Sequence, residues 1–182
     1  MSIIGNTLLN EIINQKHVFD PAEVLNYLNA GVNQAFSQTE GINTAGMDVC
    51  LIRMQRGEGH QVKLLFTGAK RPLIFVRKDS QAIEVLEGDR KSIGSQSKAA
   101  VSFTFQELIL DSGAVVYLAS DGYVDQNNPQ REKLGSHRLK QLITQACRLP
   151  LPEQKVVFEK ALDAHQQEAD QRDDITLIGV KI

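Results

Sequence analysis

The stretch VVYLASDGYVDQ, residues 115–126, places an acidic turn, Ser120-Asp121-Gly122, directly after an apolar run. This pattern predicts a buried strand that ends in a turn with a carboxylate at the solvent boundary. Near the C-terminus, Arg172-Asp173-Asp174 opens a second apolar run, residues 175–182, in the same way. Carboxylates at strand ends suit hard divalent cations such as Mg²⁺ or Mn²⁺. The pair predicts metal-dependent phosphate chemistry, although either turn alone is more typical of an ordinary solvated loop.

The composition limits the class of protein. A chain of 182 residues with 42% hydrophobic content is long and apolar enough for a sizeable core, and we predict a single domain over residues 1–182. Its 20 basic and 22 acidic residues leave a net charge of -2, and no block of lysine or arginine stands out. This pattern argues against nucleic acid and anionic membranes as partners.

Cysteine usage and hydropathy indicate the compartment. Cys50 and Cys147 match no metal-ligand spacing and form no Cys-x-x-Cys pair. Two reduced thiols are the simplest interpretation, and a disulfide stays open. No apolar stretch approaches the roughly 20 residues of a membrane span, and the start of the chain does not resemble a signal peptide. We therefore expect a cytoplasmic protein.

Helical periodicity dominates the beginning of the chain. Apolar residues at helical spacing predict an amphipathic helix over the first 16 residues. Asp20 followed by Pro21 is typical of an N-cap with proline at the first helical position, which predicts a second helix. Its apolar stripe continues to Phe36.

From Met47 the apolar period changes to two. Six strands are predicted, at residues 47–54, 62–67, 73–77, 82–86, 101–110 and 114–119. The turns between them include residues 56–59, residues 68–72 and a tight hairpin at Asp111-Ser112-Gly113. Such short turns predict a meander in which strands adjacent in sequence pair with one another.

The remainder of the chain returns to helices. After a polar loop at residues 125–131, helical patterns cover residues 136–147 and 152–169, and a last strand covers residues 174–182. The order of helices and strands predicts an α+β fold with helices packed on sheet faces.

Five motifs together resemble, in order and spacing, the stage II sporulation E-type branch of the PPM metal-dependent protein serine/threonine phosphatases. They are Gly46-Met47-Asp48, residues 66–73, Ser92-Ile93-Gly94, residues 117–126 and residues 172–179. The resemblance spans nearly the whole chain.

The resemblance implies an antiparallel β-sandwich flanked by helices (αββα) with a binuclear Mn²⁺ or Mg²⁺ site at one end of the sheets. Asp121, in its turn with Gly122, matches a metal ligand of the family, and Asp173 matches a second one. Asp125 matches a position associated with an extra, weaker metal. The implied reaction is hydrolysis of phosphoserine or phosphothreonine by a metal-activated water, without a covalent phosphoenzyme.

Two further carboxylates lie in these motifs. Asp174 stands where the family has an Asn or Asp beside the ligand. Asp48 is as consistent with a strand-edge carboxylate as with the metal pocket. The chain contains no Cys-x5-Arg, no early Asp-x-Asp and no Gly-x-Ser-x-Gly motif, so no protein nucleophile is predicted and a haloacid-dehalogenase-type enzyme is set aside. No residue is assigned to substrate binding.

The start of the chain departs from the family pattern. In the family, strands that carry an Asp bridging both metals precede the helix that residues 2–15 resemble. We therefore expect an incomplete metal pair and little or no phosphatase activity of this chain alone. We also expect a homodimer, strand-swapped or not, that covers an unpaired sheet edge.

The resemblance also implies a partner, namely a phosphorylated bacterial signalling protein such as an anti-anti-sigma-like regulator. The alternative is a non-catalytic interaction module that keeps the fold. Arg71 is interpreted as a solvated side chain on a hairpin shaped by Gly68 and Pro72, because the family's phosphate-binding arginine lies upstream. Four histidines are interpreted as surface or structural residues: His17, His60, His137 and His165.

Overall fold

The computed structural model describes residues 2–37, 46–57, 59–95 and 102–182. The helices are α1 (Ser2–Asn10), which continues into a π-helical turn at Glu11–Gln15, α2 (Pro21–Ser37), α3 (Asp121–Asp125), α4 (Gly135–Ala146) and α5 (Leu151–Gln166). The strands are β1 (Val49–Arg56), β2 (Gln61–Ala69), β3 (Leu73–Val76), β4 (Ile83–Leu86), β5 (Gln106–Asp111), β6 (Val115–Ala119) and β7 (Leu177–Lys181).

The strands form two sheets, with the orders β1-β2-β5 and β4-β3-β6-β7. The pairings of β1 with β2, of β3 with β6 and of β6 with β7 are antiparallel. The chain divides into two compact units, Met1–Leu73 with Leu86–Ile109, and Ile74–Val85 with Leu110–Ile182. The predicted α+β class with antiparallel sheets and helices is confirmed, whereas the single domain over residues 1–182 stays a prediction.

The first unit is built around the N-terminal helices. The carboxylate of Asp20 accepts hydrogen bonds from the backbone N–H groups of Ala22 and Glu23, at 2.9 and 3.0 Å. The predicted N-cap is therefore confirmed, and it satisfies donors that a helix start leaves open. The apolar stripe of α2 then packs with residues of the first sheet and its loops in one core, made of Ile12, Val24, Leu25, Leu28, Val32, Ala69, Ile93 and Phe103.

The core of the second unit joins the second sheet to α3, α4 and α5. Its buried members include Val115 and Tyr117 of β6, Tyr123 of α3, Ile143 of α4 and Phe158 of α5. The Tyr123 hydroxyl donates a hydrogen bond to the Phe158 carbonyl oxygen at 2.9 Å. Burial raises the pKa of Tyr123 to about 12, so the phenol stays a donor and ties α3 to α5.

The predicted meander is confirmed for β1 with β2 and for β3 with β4, and it is wrong for the other strands that are adjacent in sequence. β5 pairs with β2 in the first sheet, and β6 lies between β3 and β7 in the second. Asp111-Ser112-Gly113 does turn the chain, because the Ala114 N–H donates to the Asp111 carbonyl at 3.1 Å. It is nevertheless not a hairpin, since the turn chemistry reverses the backbone without determining which sheet the next strand joins. Residues 68–72 likewise connect strands of different sheets.

Two strands are shorter than their apolar patterns predict. β5 begins at Gln106, because Asn26 of α2 binds the backbone of Phe103 on both sides, with Nδ2 to the carbonyl oxygen and Oδ1 to the N–H. β7 begins at Leu177, because the backbone of the preceding residues is bound to Ser120. Val101 and Glu58, in a predicted strand and a predicted turn, lie outside the described residues.

Candidate metal centre

Ser120 joins the two acidic turns. Its N–H donates to the Thr176 carbonyl oxygen at 2.9 Å, and its hydroxyl accepts from the Thr176 N–H at 3.0 Å. The same hydroxyl donates to the Asp174 carbonyl oxygen at 3.0 Å. The end of β6 is therefore fastened to the segment that precedes β7. Nothing in the local sequence pattern of Ser120 indicated this role.

Gly122 allows the two turns to touch. A Cβ atom at this position would lie 2.4 Å from the Asp174 carbonyl oxygen, a distance that real Cβ atoms do not tolerate. Only a glycine permits this approach of two backbones. Ser120 and Gly122 thus lie against Asp174, which is some fifty positions further along the chain.

The expected turn at Asp121 is the first turn of a helix instead. Asp121 is the first residue of α3 and Asp125 is its last, while Ser120 is the N-cap with an extended backbone. Asp121 is half-buried.

Asp173 and Asp174 are exposed. The Oδ1 atom of Asp173 accepts a hydrogen bond from the Asp174 N–H at 2.8 Å, and the Gln171 side chain donates to the Asp173 carbonyl oxygen at 2.8 Å. These bonds hold the turn in shape, and they leave the carboxylate at the surface of the second unit. An exposed, fixed carboxylate is a suitable ligand for a hydrated divalent cation.

The donors fit a divalent cation, but they are few. Within the described ranges, no group of three or more His, Cys, Asp or Glu side chains is arranged to hold a metal ion. Asp121 and Asp173 supply oxygen ligands of the type that Mg²⁺ and Mn²⁺ prefer, and Mg²⁺ commonly binds through one or two carboxylates while it keeps several waters. The assignments of Asp121, Gly122, Asp173 and Asp174 stay predictions.

Asp125 is engaged by a lysine. Its Oδ1 atom lies 3.0 Å from Lys133 Nζ, and both side chains are at least half exposed. A solvent-exposed pair of this kind is weak, typically about 0 to 1 kcal/mol, so a cation can compete with the lysine. The role of Asp125 as a ligand for an additional metal stays a prediction.

His165 fixes the loop that follows Asp125. Its Nε2 atom lies 3.1 Å from the carbonyl oxygens of Gln126 and Glu132. Because both partners are acceptors, Nε2 carries the hydrogen. His165 is thus a structural residue, as interpreted, and no sequence signal showed which loop it would bind.

Arg71 is not a solvated hairpin side chain, which corrects the sequence-based interpretation. Its guanidinium donates to Asp48 Oδ2 at 3.0 Å, and the two side chains are only 18% and 25% exposed. The Ser92 hydroxyl donates to Asp48 Oδ1 at 2.6 Å. In the first unit, three of the resembling motifs thus meet at Asp48, whose candidacy as a metal ligand stays a prediction.

Both cysteines are free thiols, as predicted. Burial raises the pKa of the Cys50 thiol to about 12, so this group is neutral at physiological pH. None of the described helices combines the length and the hydropathy that a membrane crossing requires.

Comparison with known proteins defines the class. The protein has the fold of the PP2C-type protein phosphatases, which confirms the predicted PPM-type fold. Over residues 2–182 it matches the family model described as stage II sporulation protein E (SpoIIE), and the chain belongs to that family. No curated protein sequence is significantly similar to the chain.

Solved structures support the assignment. The chain is similar to the SiaA-PP2C domain of Pseudomonas aeruginosa, with 28% identity and a TM-score of 0.82 over 99% of this chain and 68% of that one. It is also similar to the PP2C phosphatase domain, with a regulatory fragment, of SpoIIE from Bacillus subtilis, with 15% identity and a TM-score of 0.66. That match covers 98% of this chain but only 48% of the other. The serine/threonine phosphatase PstP/Ppp of Mycobacterium tuberculosis matches at 12% identity and a TM-score of 0.61, covering 98% and 81%.

Proposed function

We propose that the chain belongs to a phosphatase that hydrolyses phosphoserine or phosphothreonine on a partner protein. The supporting observation is the junction of the two acidic turns, at which Gly122 lies against Asp174 and Ser120 binds both segments, in a chain of the SpoIIE family. Residues 1–182 then form a single phosphatase-like domain. The partner is a phosphorylated bacterial signalling protein, such as an anti-anti-sigma-like regulator.

Asp121 and Asp173, with Gly122 between the turns, would hold Mn²⁺ or Mg²⁺, and Asp125 and Asp174 would lie at the margin of the site. Bound divalent cations lower the pKa of a water and neutralise developing charge on a phosphoryl group. The chain's own contribution is positional. Ser120 fixes the distance between the turns, and the absence of a side chain at Gly122 allows their contact.

Activity of the 182-residue chain by itself is expected to be weak. The described residues supply two carboxylates at the junction and no cluster of three metal-binding side chains. Ions held by one or two carboxylates exchange readily, because most of their ligands stay water. A tight metal pair is therefore not expected from these residues alone.

Mn²⁺ binding and phosphate release test the proposal together. Calorimetric titration with Mn²⁺ and turnover of p-nitrophenyl phosphate are measured for the natural chain, Asp121→Asn and Asp173→Asn. Both variants should lose Mn²⁺ binding, and any turnover should fall by about 100-fold, because each removes a charged ligand. Asp163→Asn, on the exposed face of α5, is the control and should behave as the natural chain.

Retention of Mn²⁺ binding by Asp121→Asn and Asp173→Asn would contradict the metal assignment. A natural chain that neither binds Mn²⁺ nor releases phosphate would instead favour the alternative function, a non-catalytic interaction module with the phosphatase fold.

A homodimer is proposed from the edge of the second sheet. Ile182 and Thr176 form their backbone hydrogen bonds toward the β6 side, so the intervening odd-numbered residues of β7 direct their N–H and C=O groups away from β6. Ile178 is 50% exposed. In the described sheet β7 is a terminal strand, and a terminal strand with an apolar residue invites pairing with a second chain.

The register of such a dimer follows from symmetry. Antiparallel pairing of two β7 strands about Gly179 would place Ile178 opposite the partner's Val180, and Lys181 opposite the partner's Leu177, without like charges. Light scattering should show a dimer for the natural chain and a monomer for Ile178→Lys. Val156→Lys, which changes an exposed residue of α5, should stay dimeric. A natural chain that is monomeric at high concentration contradicts the proposal.

A further inference from the structure

The second unit contains a polar cleft that the metal-centre assignment does not use. Its volume is about 710 Å³, and it lies between the loop after α3 and the segment after α5. The lining residues that matter are Asn127, Arg131, Gln167, Glu168, Asp170 and Arg172. Arg172 directly precedes Asp173, and the loop directly follows Asp125. The cleft is therefore continuous in sequence, at both sides, with the candidate metal centre.

Asn127 is the first indication of a ligand. Its side chain is 7% exposed, and among the described residues no donor is bound to its buried Oδ1 atom. A buried acceptor without a donor is destabilising, and native proteins rarely retain one without a reason. A backbone N–H group of a bound peptide is a donor of the required type.

Backbone strain on both sides of the cleft is the second indication. Arg131 has φ 66°, and Gln167 has φ 49° with ψ -118°. Side chains other than glycine rarely adopt such conformations, and residues held in them concentrate at binding sites. Five described residues other than glycine have a positive φ, and two of the five line this cleft.

Charge is the third indication. Arg131 and Arg172 carry guanidinium groups, Glu168 and Asp170 carry carboxylates, and all four side chains are exposed. In the part of the chain that the structure describes, neither guanidinium has a hydrogen-bond or ion-pair partner. Arginine binds carboxylates through two parallel hydrogen bonds. A cleft with charges of both signs fits a ligand with charges of both signs.

We propose that this cleft binds an extended peptide segment that carries both an acidic and a basic side chain. The arginines bind the acidic side chain, and Glu168 and Asp170 bind the basic one. The Asn127 side chain turns its Oδ1 atom, which is closed to solvent in the unbound chain, toward a peptide N–H. Resting on the proposed function, we assign this segment to the phosphoprotein substrate, next to its phosphorylated residue. The cleft would thus determine which phosphoproteins the site accepts.

Binding of labelled peptides tests whether the cleft prefers a segment with charges of both signs. Three fluorescein-labelled phosphoserine peptides of equal length, with mixed, all-acidic or all-basic flanking residues, are titrated with the full chain by fluorescence anisotropy. The mixed peptide should bind most tightly. Arg131→Ala and Asn127→Ala should each weaken its binding by about tenfold, in line with the loss of one or two hydrogen bonds to a charged or buried group. Arg131→Glu should shift the preference to the all-basic peptide.

Arg148→Ala is the matched control, because it removes an exposed arginine of the same unit outside the cleft. It should bind all three peptides as the natural chain does. Thermal unfolding of each variant identifies any that fail to fold; for Asn127 a second variant, Asn127→Ser, then replaces the first. Equal affinity of the natural chain for the three peptides, or unchanged binding by Arg131→Ala, would overturn the proposal.

The two proposals fail separately. Turnover of p-nitrophenyl phosphate by the natural chain does not require a peptide site. If it is absent while Arg131-dependent peptide binding is present, the cleft stands as a peptide site of a non-catalytic module. If turnover is present and the peptides bind without regard to charge, the phosphatase stands and the cleft proposal fails.

Discussion

Asp48 and Asp173 occupy similar sequence positions, each in an acidic motif beside a strand, and yet their surroundings are opposite. Asp48, in the first unit, is partly buried, and its two oxygens are bound by Arg71 and Ser92. Asp173, in the second unit, is exposed, and among the described residues its Oδ1 atom is bound by the N–H of the next residue. The first charge is paired with a guanidinium, whereas the second is the one that we propose as a ligand for a cation.

The contrast explains why a motif alone does not distinguish a structural carboxylate from a metal ligand. An arginine at 3.0 Å satisfies a carboxylate and also repels an approaching Mn²⁺. A backbone N–H orients a carboxylate and leaves its net charge in place. The decisive information is the identity of the donors, and it comes from residues distant in sequence.

The largest effect is expected for Gly122→Ala, which removes the contact between the acidic turns without touching Asp48. The new methyl group would overlap the Asp174 carbonyl oxygen, and we expect destabilisation by about 3 kcal/mol in urea unfolding, together with loss of Mn²⁺ binding. In Gly179→Ala the added atom meets the flexible end of Leu151 at 3.2 Å. This control variant should lower the free energy of unfolding by about 1 kcal/mol or less. Equal losses in Gly122→Ala and Gly179→Ala would show that the junction of the acidic turns is not close-packed.

Asp48→Ala tests the other member of the comparison, the partly buried carboxylate of the first unit. It leaves the Arg71 guanidinium, whose side chain is 18% exposed, without its carboxylate. We expect a loss of about 2 kcal/mol, less than for a fully buried pair because of partial solvation. Asp173→Asn should change the free energy of unfolding by less than about 0.5 kcal/mol.

A double variant provides the control for this pair. Adding Arg71→Ala to Asp48→Ala should restore part of the lost stability, because the double variant also removes the partly buried guanidinium that the Asp48 carboxylate neutralised. Equal destabilisation by Asp48→Ala and Asp173→Asn would remove the distinction between the two carboxylates.

The pH dependence of stability should report on the first unit. Burial raises the pKa of the Cys50 thiol from its ordinary value of 9.0 to about 12, so the unfolded chain loses this proton first. The stabilising contribution is therefore complete below pH 9 and is lost as the pH rises from 9 toward 12. At pH 10 we expect a loss of about 1 kcal/mol that is absent in Cys50→Ala, measured by urea unfolding. If the free energy of unfolding fell equally with pH in the natural chain and in Cys50→Ala, the raised pKa of Cys50 would be contradicted.

The smallest effect is expected for Lys133→Ala, which removes the exposed partner of Asp125. Stability should change by less than about 1 kcal/mol, with a difference that disappears in high salt. Mn²⁺ affinity should rise by about two- to threefold, because one positive charge leaves the neighbourhood of the metal centre. Lys155→Ala, in another exposed pair, should leave the affinity unchanged.

Local features of the fold and the pairing of two adjacent strand pairs could be predicted from the sequence, whereas the division of the strands between two sheets could not. Asp20 and Pro21 start α2 as expected, because capping involves residues two or three positions apart. The meander failed at residues 111–113, since sheet membership depends on burial across the whole chain. The contact between the acidic turns was expected only through the family resemblance. Two further roles could not be predicted, because they depend on long-range contacts that no local pattern encodes. They are the hydrogen bonds of Ser120 that hold this contact and the pairing of Arg71 with Asp48.

Backbone N–H groups along β7 alternate in direction, which affects their exchange with deuterium. The N–H groups of Ile178 and Val180 point toward β6, while those of Leu177, Gly179 and Lys181 point outward. In a solitary chain, deuterium should enter this strand with a period of two, fast at the odd positions and slow at the even ones. Assembly through the edge would slow exchange at the odd positions alone. The ratio of the exchange rates at odd and even positions of β7 would therefore report the fraction of chains that are associated.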